Sequence, residues 1–85
     1  MYRIFTSNKK VEKRLNRYIS EKKSINLKLD RLKENPYNNC GAHPLHGVLK
    51  GKWACWLGSN IRIVYVINER EGIIFIEDAG SHKVY

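Results

Sequence analysis

Hydrophobic positions recur with two different periods along this 85-residue chain. Residues 61–67 are β-branched and aromatic almost throughout, which is typical of a central strand. Alternation places Arg62, Val64 and Val66 on one face of this strand. The other face carries Ile61, Ile63, Tyr65 and Ile67. Arg62 interrupts an apolar face, where a guanidinium needs either an acidic partner or an anion that meets an open sheet.

The N-terminal half predicts two amphipathic helices, because its apolar residues recur at helical spacing. These residues are Val11, Leu15, Tyr18 and Ile19 in the first helix, and Ile25, Leu29 and Leu32 in the second. We expect the first helix over residues 8–20, and we expect the second to be capped by Ser24 and to end before Pro36. Only a few residues separate the two, which predicts a helical hairpin packed on the sheet.

The remaining segments predict strands and loops. A short strand is expected at residues 2–5, and a loop rich in Asn, Gly and Pro at residues 37–46. Three further strands are expected at residues 48–57, 61–67 and 73–78, and their short connections predict an antiparallel meander. The expected fold class is therefore α+β: an N-terminal strand, a helical hairpin and a three-stranded antiparallel meander, in one domain over residues 1–85.

The charge balance is strongly basic, with 16 Lys and Arg against 8 Asp and Glu and a formal charge of +8. This excess suits nucleic acid, a ribosomal surface or an acidic protein partner, although a basic protein without a specific anionic ligand stays open. No apolar run approaches membrane-spanning length, and no signal peptide is visible at the N-terminus. We therefore expect a cytoplasmic protein without a membrane partner, whose Cys40 and Cys55 stay reduced.

The predicted strand at residues 48–57 separates a mixed face from an apolar one. Lys50, Lys52, Ala54 and Trp56 alternate with Leu49, Gly51, Trp53, Cys55 and Leu57, and the second set should lie against the helices. If Arg62 shares the first face, the open side of the sheet presents cations beside an indole. Such a surface suits single-stranded RNA, because cations hold phosphates and the indole stacks on a base. A packing role for Trp56 and an ion-paired Arg62 are the alternatives.

Histidines flank the predicted strands at positions 43, 46 and 82. Cleavage of RNA by transesterification needs a base for the 2′-hydroxyl, an acid for the 5′-oxygen and positive charge at phosphorus. Histidine titrates near neutrality and can serve as base or acid, and an arginine can stabilise the transition state. This chemistry requires no metal or other cofactor.

One group of residues could be considered as metal ligands. Cys40, His43, His46 and Cys55 offer four zinc-type side chains at Cys-x2-His-x2-His spacing. This is not a standard structural zinc spacing, and Pro44 restricts the loop that carries it. We therefore predict no metal site.

Four short segments, in this order, resemble the RelE/ParE superfamily of bacterial and archaeal type II toxins, and its YafQ branch most closely. They are His43-Pro44-Leu45-His46-Gly47, Leu49-Lys50-Gly51, Arg62-Ile63-Val64-Tyr65 and Gly80-Ser81-His82. The resemblance covers essentially the whole chain and implies the RelE-like toxin fold. It also implies a ribosome-dependent endoribonuclease that cuts mRNA and is held inactive by a cognate antitoxin.

The resemblance assigns roles to particular residues. His43 matches the first histidine of the branch, His82 matches its C-terminal histidine, and Arg62 matches the strand arginine at the scissile phosphate. These three are the predicted catalytic residues. The predicted RNA-binding residues are Lys50, Lys52, Trp56, His46 and Tyr85.

The chain also departs from the branch at several of its catalytic positions. Trp56 stands where the branch has a further histidine, Asn60 where it has an aspartate, and Asp78 where it has an arginine. Tyr85 follows His82 at a shortened spacing for the C-terminal aromatic residue. Two alternatives therefore stay open: a weakened member that binds antitoxin or RNA without cutting, and a ParE-like toxin directed at DNA gyrase.

Overall fold

The computed structural model describes residues 1–58 and 60–80. Its elements, in chain order, are β1 (Arg3–Thr6), α1 (Lys9–Glu21), α2 (Ser24–Glu34), β2 (His43–Pro44), β3 (Trp53–Trp56), β4 (Arg62–Asn68) and β5 (Ile73–Gly80). Two short 3₁₀ turns, Asn39–Gly41 and Gly47–Leu49, flank β2. The predicted α+β fold, with a strand, a helical hairpin and antiparallel strands, is confirmed.

Helix α1 begins where its sequence offers a cap. Asn8 adopts an extended backbone, and its side-chain oxygen accepts a hydrogen bond from the Val11 N–H at 2.9 Å. Val11 and Leu15 are buried against the sheet. The predicted helix at residues 8–20 is therefore correct to within one residue at each end.

Helix α2 follows directly, and here the predicted cap is wrong. Ser24 lies inside the first turn, while Lys23 precedes the helix with a helical backbone (φ −61°, ψ −27°) and no side-chain cap. The connection from α1 is so short that the Lys22 and Lys23 carbonyls accept hydrogen bonds from N–H groups of the α2 first turn. Asn35 is extended and ends the helix before Pro36, as predicted.

Five strands of the described chain form one sheet in the order β1-β5-β4-β3-β2. The β3–β4–β5 meander is antiparallel, as predicted. β1 pairs parallel with β5, and the connection between them runs through both helices and the strands β2, β3 and β4. β2 adds a two-residue edge strand beside β3, inside the segment 37–46 that was predicted to be a loop.

The predicted strand at residues 48–57 is wrong in its first half. Gly47 and Gly51 have positive φ angles of 67° and 95°, which bend the chain into consecutive turns. Within these turns the Lys50 N–H donates to the Gly47 carbonyl at 3.1 Å, and the Lys52 N–H donates to the Leu49 carbonyl at 3.1 Å. Lys50 therefore lies in a turn and not on a strand face.

The main core lies between the helices and one face of the sheet. The predicted inward face of β4 is confirmed, because Ile63 and Tyr65 are fully buried there and Ile61 and Ile67 pack beside them. Trp53, Cys55 and Leu57 also belong to this core, as predicted. Leu49 does not, because the turn redirects it to the outer face of the sheet.

The outer face is partly covered, in contrast to the fully open face predicted. Leu45, Ala54 and Val64 form a small second cluster there, with Leu49 packed against it. Arg62 is half-buried at one end of this face, and Phe5 and Phe75 are exposed on it towards the other end, where β1 pairs with β5. Neither helix in the described part of the chain is long and apolar enough to span a membrane.

Candidate functional site

The centre of the candidate site is a cation stacked on an indole. Trp56 of β3 lies directly opposite Arg62 of β4, and opposite residues of an antiparallel pair share a face. The Arg62 Cζ lies 3.9 Å from the centroid of the Trp56 ring, which is cation–π geometry. The structure thus meets the condition that the sequence left open, because Arg62 and Trp56 share one face of the sheet. One face of the Trp56 ring is already covered by the guanidinium.

His43 lies on the same outer face, because it pairs in register with Ala54 of β3. Its Nδ1 is 3.0 Å from the Gly41 carbonyl oxygen. Gly41 has a φ of 66°, and a Cβ built on it would lie 3.4 Å from Trp56 Cδ1. Gly41 therefore lies between the His43 ring, which its carbonyl contacts, and the Trp56 ring, which its Cα faces. His43, Trp56 and Arg62 are the residues that form the described part of the candidate surface.

The last strand, β5, is the fourth strand that reaches the candidate surface. Gly80 of β5 is the cross-strand partner of Arg62 on the side away from Trp56. His82 follows Gly80 by two positions in the sequence. His82 and Tyr85 lie outside the described residues, so the predictions made for them stay predictions.

The predicted RNA-binding cations differ in their surroundings. Lys52 Nζ lies 2.6 Å from Glu77 Oε1, and both side chains are about half-buried, so this charge is neutralised on the surface. Lys50 and His46 are exposed in the turns around Gly47. Asn60, at the position where the branch has an aspartate, is exposed before β4.

A β-bulge in β5 separates two adjacent carboxylates. Val64 pairs with Asp78 and Tyr65 pairs with Ile76, so Glu77 is the extra residue. Glu77 reaches Lys52, whereas Asp78 Oδ1 lies 3.5 Å from Arg14 Nη1 of α1.

Arg14 is a residue that the sequence reasoning missed. Its Nη1 donates to the Ala79 carbonyl at 3.0 Å in addition to pairing with Asp78. The carboxylate that stands where the family branch has an arginine is therefore held by a cation from the helix. Helical periodicity places Arg14 on the polar side of α1, but it gives no register between that helix and β5, so no sequence signal could have identified the pair.

A second basic feature lies on α1. Four cations line a shallow depression on this helix, namely Lys10, Lys13, Arg14 and Arg17. Arg17 also pairs with Glu21 at 4.0 Å, an exposed contact of little energetic weight. The depression is a positively charged surface adjoining the end of β5, through the contacts of Arg14.

Cys55 belongs to the main core, and Cys40 packs against the same core cluster. A hydrogen bond from the Cys55 thiol lowers the pKa of Cys40 to about 7, and the Lys28 and Arg31 charges add to this effect while burial opposes it. The same hydrogen bond and burial raise the pKa of Cys55. Within residues 1–58 and 60–80, no three His, Cys, Asp or Glu side chains are gathered to hold a metal ion. Cys40, His43, His46 and Cys55 are thus not assembled into one site.

Fold and surface together define a small α+β protein of the kind found among bacterial toxins. No protein-family model matches the chain, and no curated protein matches it. Among solved structures, a metal-bound toxin from Helicobacter pylori is 30% identical, with 96% of each chain covered and a TM-score of 0.69.

Two more distant structures show the same fold. The RelBE2 toxin–antitoxin complex from Mycobacterium tuberculosis is 15% identical, with 95% of this chain and 98% of that chain covered and a TM-score of 0.73. A YafQ mutant from E. coli is 19% identical, with 96% and 94% covered and a TM-score of 0.64. This chain belongs to the same toxin family as the Helicobacter pylori protein, and it has the fold of the RelE-type and YafQ toxins, as its motifs predicted.

Proposed function

We propose that this protein is the toxin of a type II toxin–antitoxin system and that it cleaves mRNA on the ribosome. In this proposal residues 1–85 form one toxin domain, which acts in the cytoplasm by acid–base chemistry without a metal. The observation that carries the proposal is the Arg62 guanidinium stacked on Trp56, on the sheet face that also holds His43. Family membership supports it.

Arg62 supplies the positive charge for the reacting phosphate. Stacking on Trp56 restrains the guanidinium before the substrate arrives, so little reorganisation is needed when charge develops on the phosphate oxygens. A planar guanidinium can also donate two parallel hydrogen bonds to a phosphate, which a lysine cannot do. Trp56 accordingly acts in the proposal as the support for Arg62 as well as a contact for RNA.

His43 is the base in this proposal. The Gly41 carbonyl can only accept a hydrogen bond, so His43 Nδ1 carries the proton and donates it to that oxygen. Nε2 then keeps its lone pair and can take the proton of the 2′-hydroxyl. The 2′-oxygen attacks phosphorus, the bond to the 5′-oxygen breaks, and His82 is the proposed donor of the proton to that oxygen. The products are a 2′,3′-cyclic phosphate and a 5′-hydroxyl.

The remaining contacts to RNA are proposed from exposure and charge. Lys50 and His46 are exposed beside β2 and can meet the RNA backbone, and Tyr85 keeps its predicted RNA contact. Lys52 contributes less than the sequence predicted, because Glu77 neutralises it. The four cations of the α1 depression provide further positive surface.

The proposed protein partner is a cognate antitoxin. The formal charge of +8 favours a partner segment that is acidic or amphipathic. The RelBE2 neighbour is itself a toxin–antitoxin complex, which supports a partner of this class.

A second candidate function is a family member that binds antitoxin or RNA without cutting. It is favoured by one observation, the carboxylate of Asp78 at the position where the branch has an arginine. Asp78 pairs with Arg14, so the pair as a whole carries no net charge at the end of β5.

The experiment that tests the proposal compares Arg62→Ala with Arg70→Ala, a matched change of an exposed arginine in the β4–β5 turn. Induction of the wild type and of Arg70→Ala should stop growth and produce new mRNA cuts by primer extension. Arg62→Ala should lower cleavage by about 10²–10³-fold. The stack on Trp56 by itself contributes about 1 kcal/mol, and thermal denaturation of Arg62→Ala checks that the variant is folded.

Two outcomes count against RNA cleavage. Cuts of unchanged strength in folded Arg62→Ala would remove Arg62 from the mechanism. A wild-type chain that is expressed without any cuts would favour the second candidate function. Co-expression of a small acidic protein from the adjacent reading frame should restore growth if that protein is the antitoxin.

A further inference from the structure

Cys40 and Cys55 are held against each other although they lie on different elements. Cys55 of β3 is fully buried, and Cys40 in the turn Asn39–Gly41 packs on the same core cluster. The residues that follow the two cysteines also lie close together, because a Cβ built on Gly41 would lie 3.4 Å from Trp56 Cδ1. In agreement with this placement, each thiol shifts the pKa of the other. Cys40 Sγ also lies 3.2 Å from the Lys28 carbonyl oxygen of α2, which fixes the direction of the side chain.

The backbone at Cys40 is held in an unfavourable conformation. Its φ is 61°, and in the described part of the chain it is the one non-glycine residue with positive φ. A side chain in the left-handed region costs free energy and persists only where surrounding contacts hold it. Here those contacts direct a half-exposed thiol towards a buried one.

We infer that Cys40 and Cys55 form an intramolecular disulfide when the cell is exposed to peroxide, and that this bond switches off the surface formed by His43, Trp56 and Arg62. The first part of this inference stands on the thiol pair alone. The second part rests on the proposed RNA cleavage.

The chemistry begins at Cys40, which is the accessible member of the pair. Its pKa of about 7 provides a thiolate at neutral pH. The thiolate sulfur attacks hydrogen peroxide, a sulfur–oxygen bond forms, the oxygen–oxygen bond breaks, and the departing hydroxide takes a proton to become water. The product is a sulfenic acid on Cys40.

Cys55 then resolves the sulfenic acid. Its sulfur attacks the Cys40 sulfur, its proton goes to the departing hydroxyl, and a second water leaves as the disulfide forms. The two thiols together lose two electrons, which reduce one peroxide. Because Cys55 is fully buried, its oxidation is expected to proceed through the sulfenic acid on Cys40 and not by direct attack on peroxide.

The disulfide would act on the candidate site through the residues that follow each cysteine. Gly41 follows Cys40, and its carbonyl holds His43 Nδ1. Trp56 follows Cys55, and it supports Arg62. A disulfide brings the sulfurs to about 2.05 Å, closer than any hydrogen bond between thiols, so the turn moves towards β3. Gly41 then moves towards Trp56, whose Cδ1 would lie 3.4 Å from a Cβ built on Gly41.

The chemical test uses the purified, reduced chain with hydrogen peroxide, or with glutathione disulfide as a second oxidant. Intact mass should fall by two hydrogen atoms, both thiols should disappear, and the chain should stay monomeric on a non-reducing gel. The closed loop from Cys40 to Cys55 should raise the melting temperature by about 5–15 °C, because the cross-link restricts the unfolded chain.

Matched variants separate the two cysteines. Cys55→Ala should stop at a mixed disulfide between Cys40 and glutathione, and Cys40→Ser should leave Cys55 unmodified. A wild-type chain that keeps a free Cys55 beside a modified Cys40, or that forms covalent dimers, would overturn the inference. The wild-type measurement needs no substitution, so a variant that fails to fold leaves the test intact.

The functional test compares RNA cleavage before oxidation, after oxidation and after reduction with dithiothreitol. Cleavage should fall at least tenfold on oxidation and return on reduction, while Cys40→Ser should be insensitive to peroxide. A disulfide that forms without changing cleavage would overturn the switch. If the reduced chain does not cleave RNA at all, the proposed function fails, and the mass measurement still decides whether the disulfide exists.

Discussion

Glu69 accepts hydrogen bonds from two tyrosines that come from different parts of the chain. The Tyr2 hydroxyl lies 2.5 Å from Oε1, and the Tyr37 hydroxyl donates to Oε2. Tyr37 also packs edge-on against Trp53, with ring centroids 5.2 Å apart. Glu69 thus joins the start of β1, the loop after α2 and the β4–β5 turn at the end of the sheet away from Arg62.

The stability that this cluster provides should depend on pH. The Tyr2 and Tyr37 hydrogen bonds lower the pKa of Glu69 from its ordinary value of 4.5. A lowered carboxyl pKa means that the folded state prefers the ionised form, so the contribution is present above pH 4.5 and is lost as the pH falls through the folded value. Wild type should therefore exceed Glu69→Gln in its urea midpoint at pH 7, and the difference should shrink at pH 3.

At high pH the same cluster should also weaken, because the tyrosine hydroxyls then lose the protons that they donate to Glu69. The hydrogen bond to Glu69 raises the pKa of both Tyr2 and Tyr37, so the stabilisation present at neutral pH is lost as the pH rises above their ordinary value of 10. A difference between wild type and Glu69→Gln that stays constant from pH 3 to pH 11 would show that these hydrogen bonds contribute nothing.

Individual residues of the site could be predicted only where one strand sets their direction. Alternation in β4 was enough to separate Arg62 from Ile63 and Tyr65, but its position opposite Trp56 depends on the pairing of β3 with β4. The partners of Lys52 and Asp78 could not be predicted, because the bulge at Glu77 shifts the alternation within β5. A bulge is a feature of two paired strands, and the sequence of one strand does not reveal it.

Among the elements, α1 depends on its first residue. The Asn8 side chain satisfies the Val11 N–H, one of the backbone donors that a helix start leaves without an intrahelical partner. Asn8→Ala should lower the free energy of unfolding by about 1 kcal/mol. Asn16→Ala, the same chemical change at an exposed position inside α1, should stabilise slightly, because alanine has the higher helix propensity.

Urea denaturation of the two variants measures both effects. Equal and small changes for Asn8→Ala and Asn16→Ala would show that the cap at 2.9 Å has no energetic role. The opposite signs expected for the pair also exclude a general effect of replacing asparagine by alanine.

Helices of this chain were easier to predict than strands. The apolar spacing of α1 and α2 locates both helices, because each buries a single stripe of residues such as Ile25, Leu29 and Leu32. The segment at residues 48–57 misleads because its lysines and apolar residues alternate like a strand. Gly47 and Gly51 prevent a strand here, because their positive φ angles impose turns. The alternation of lysines and apolar residues does not reveal these turns.

At the scale of the whole molecule, the site is assembled from segments that are distant in the chain. His43 comes from β2, Trp56 from β3, Arg62 from β4 and Gly80 from β5. The hairpin connections explain why β3, β4 and β5 are neighbours. No local signal predicted that β1 would pair with β5 or that β2 would form a strand, because both depend on the edges of the finished sheet. The motif series supplied the relation to the toxin superfamily before any of this geometry.

Whether this fold cleaves RNA is tested most directly by the chemistry of the cut ends. A defined mRNA is translated in a reconstituted system with the purified wild-type chain or with His43→Gln, and the RNA ends are mapped. We expect cuts that require the ribosome, that carry a 2′,3′-cyclic phosphate and a 5′-hydroxyl, and that disappear in folded His43→Gln. Ends carrying a 3′-hydroxyl and a 5′-phosphate, equal cleavage by His43→Gln, or no cuts by the wild type would contradict the proposed acid–base mechanism.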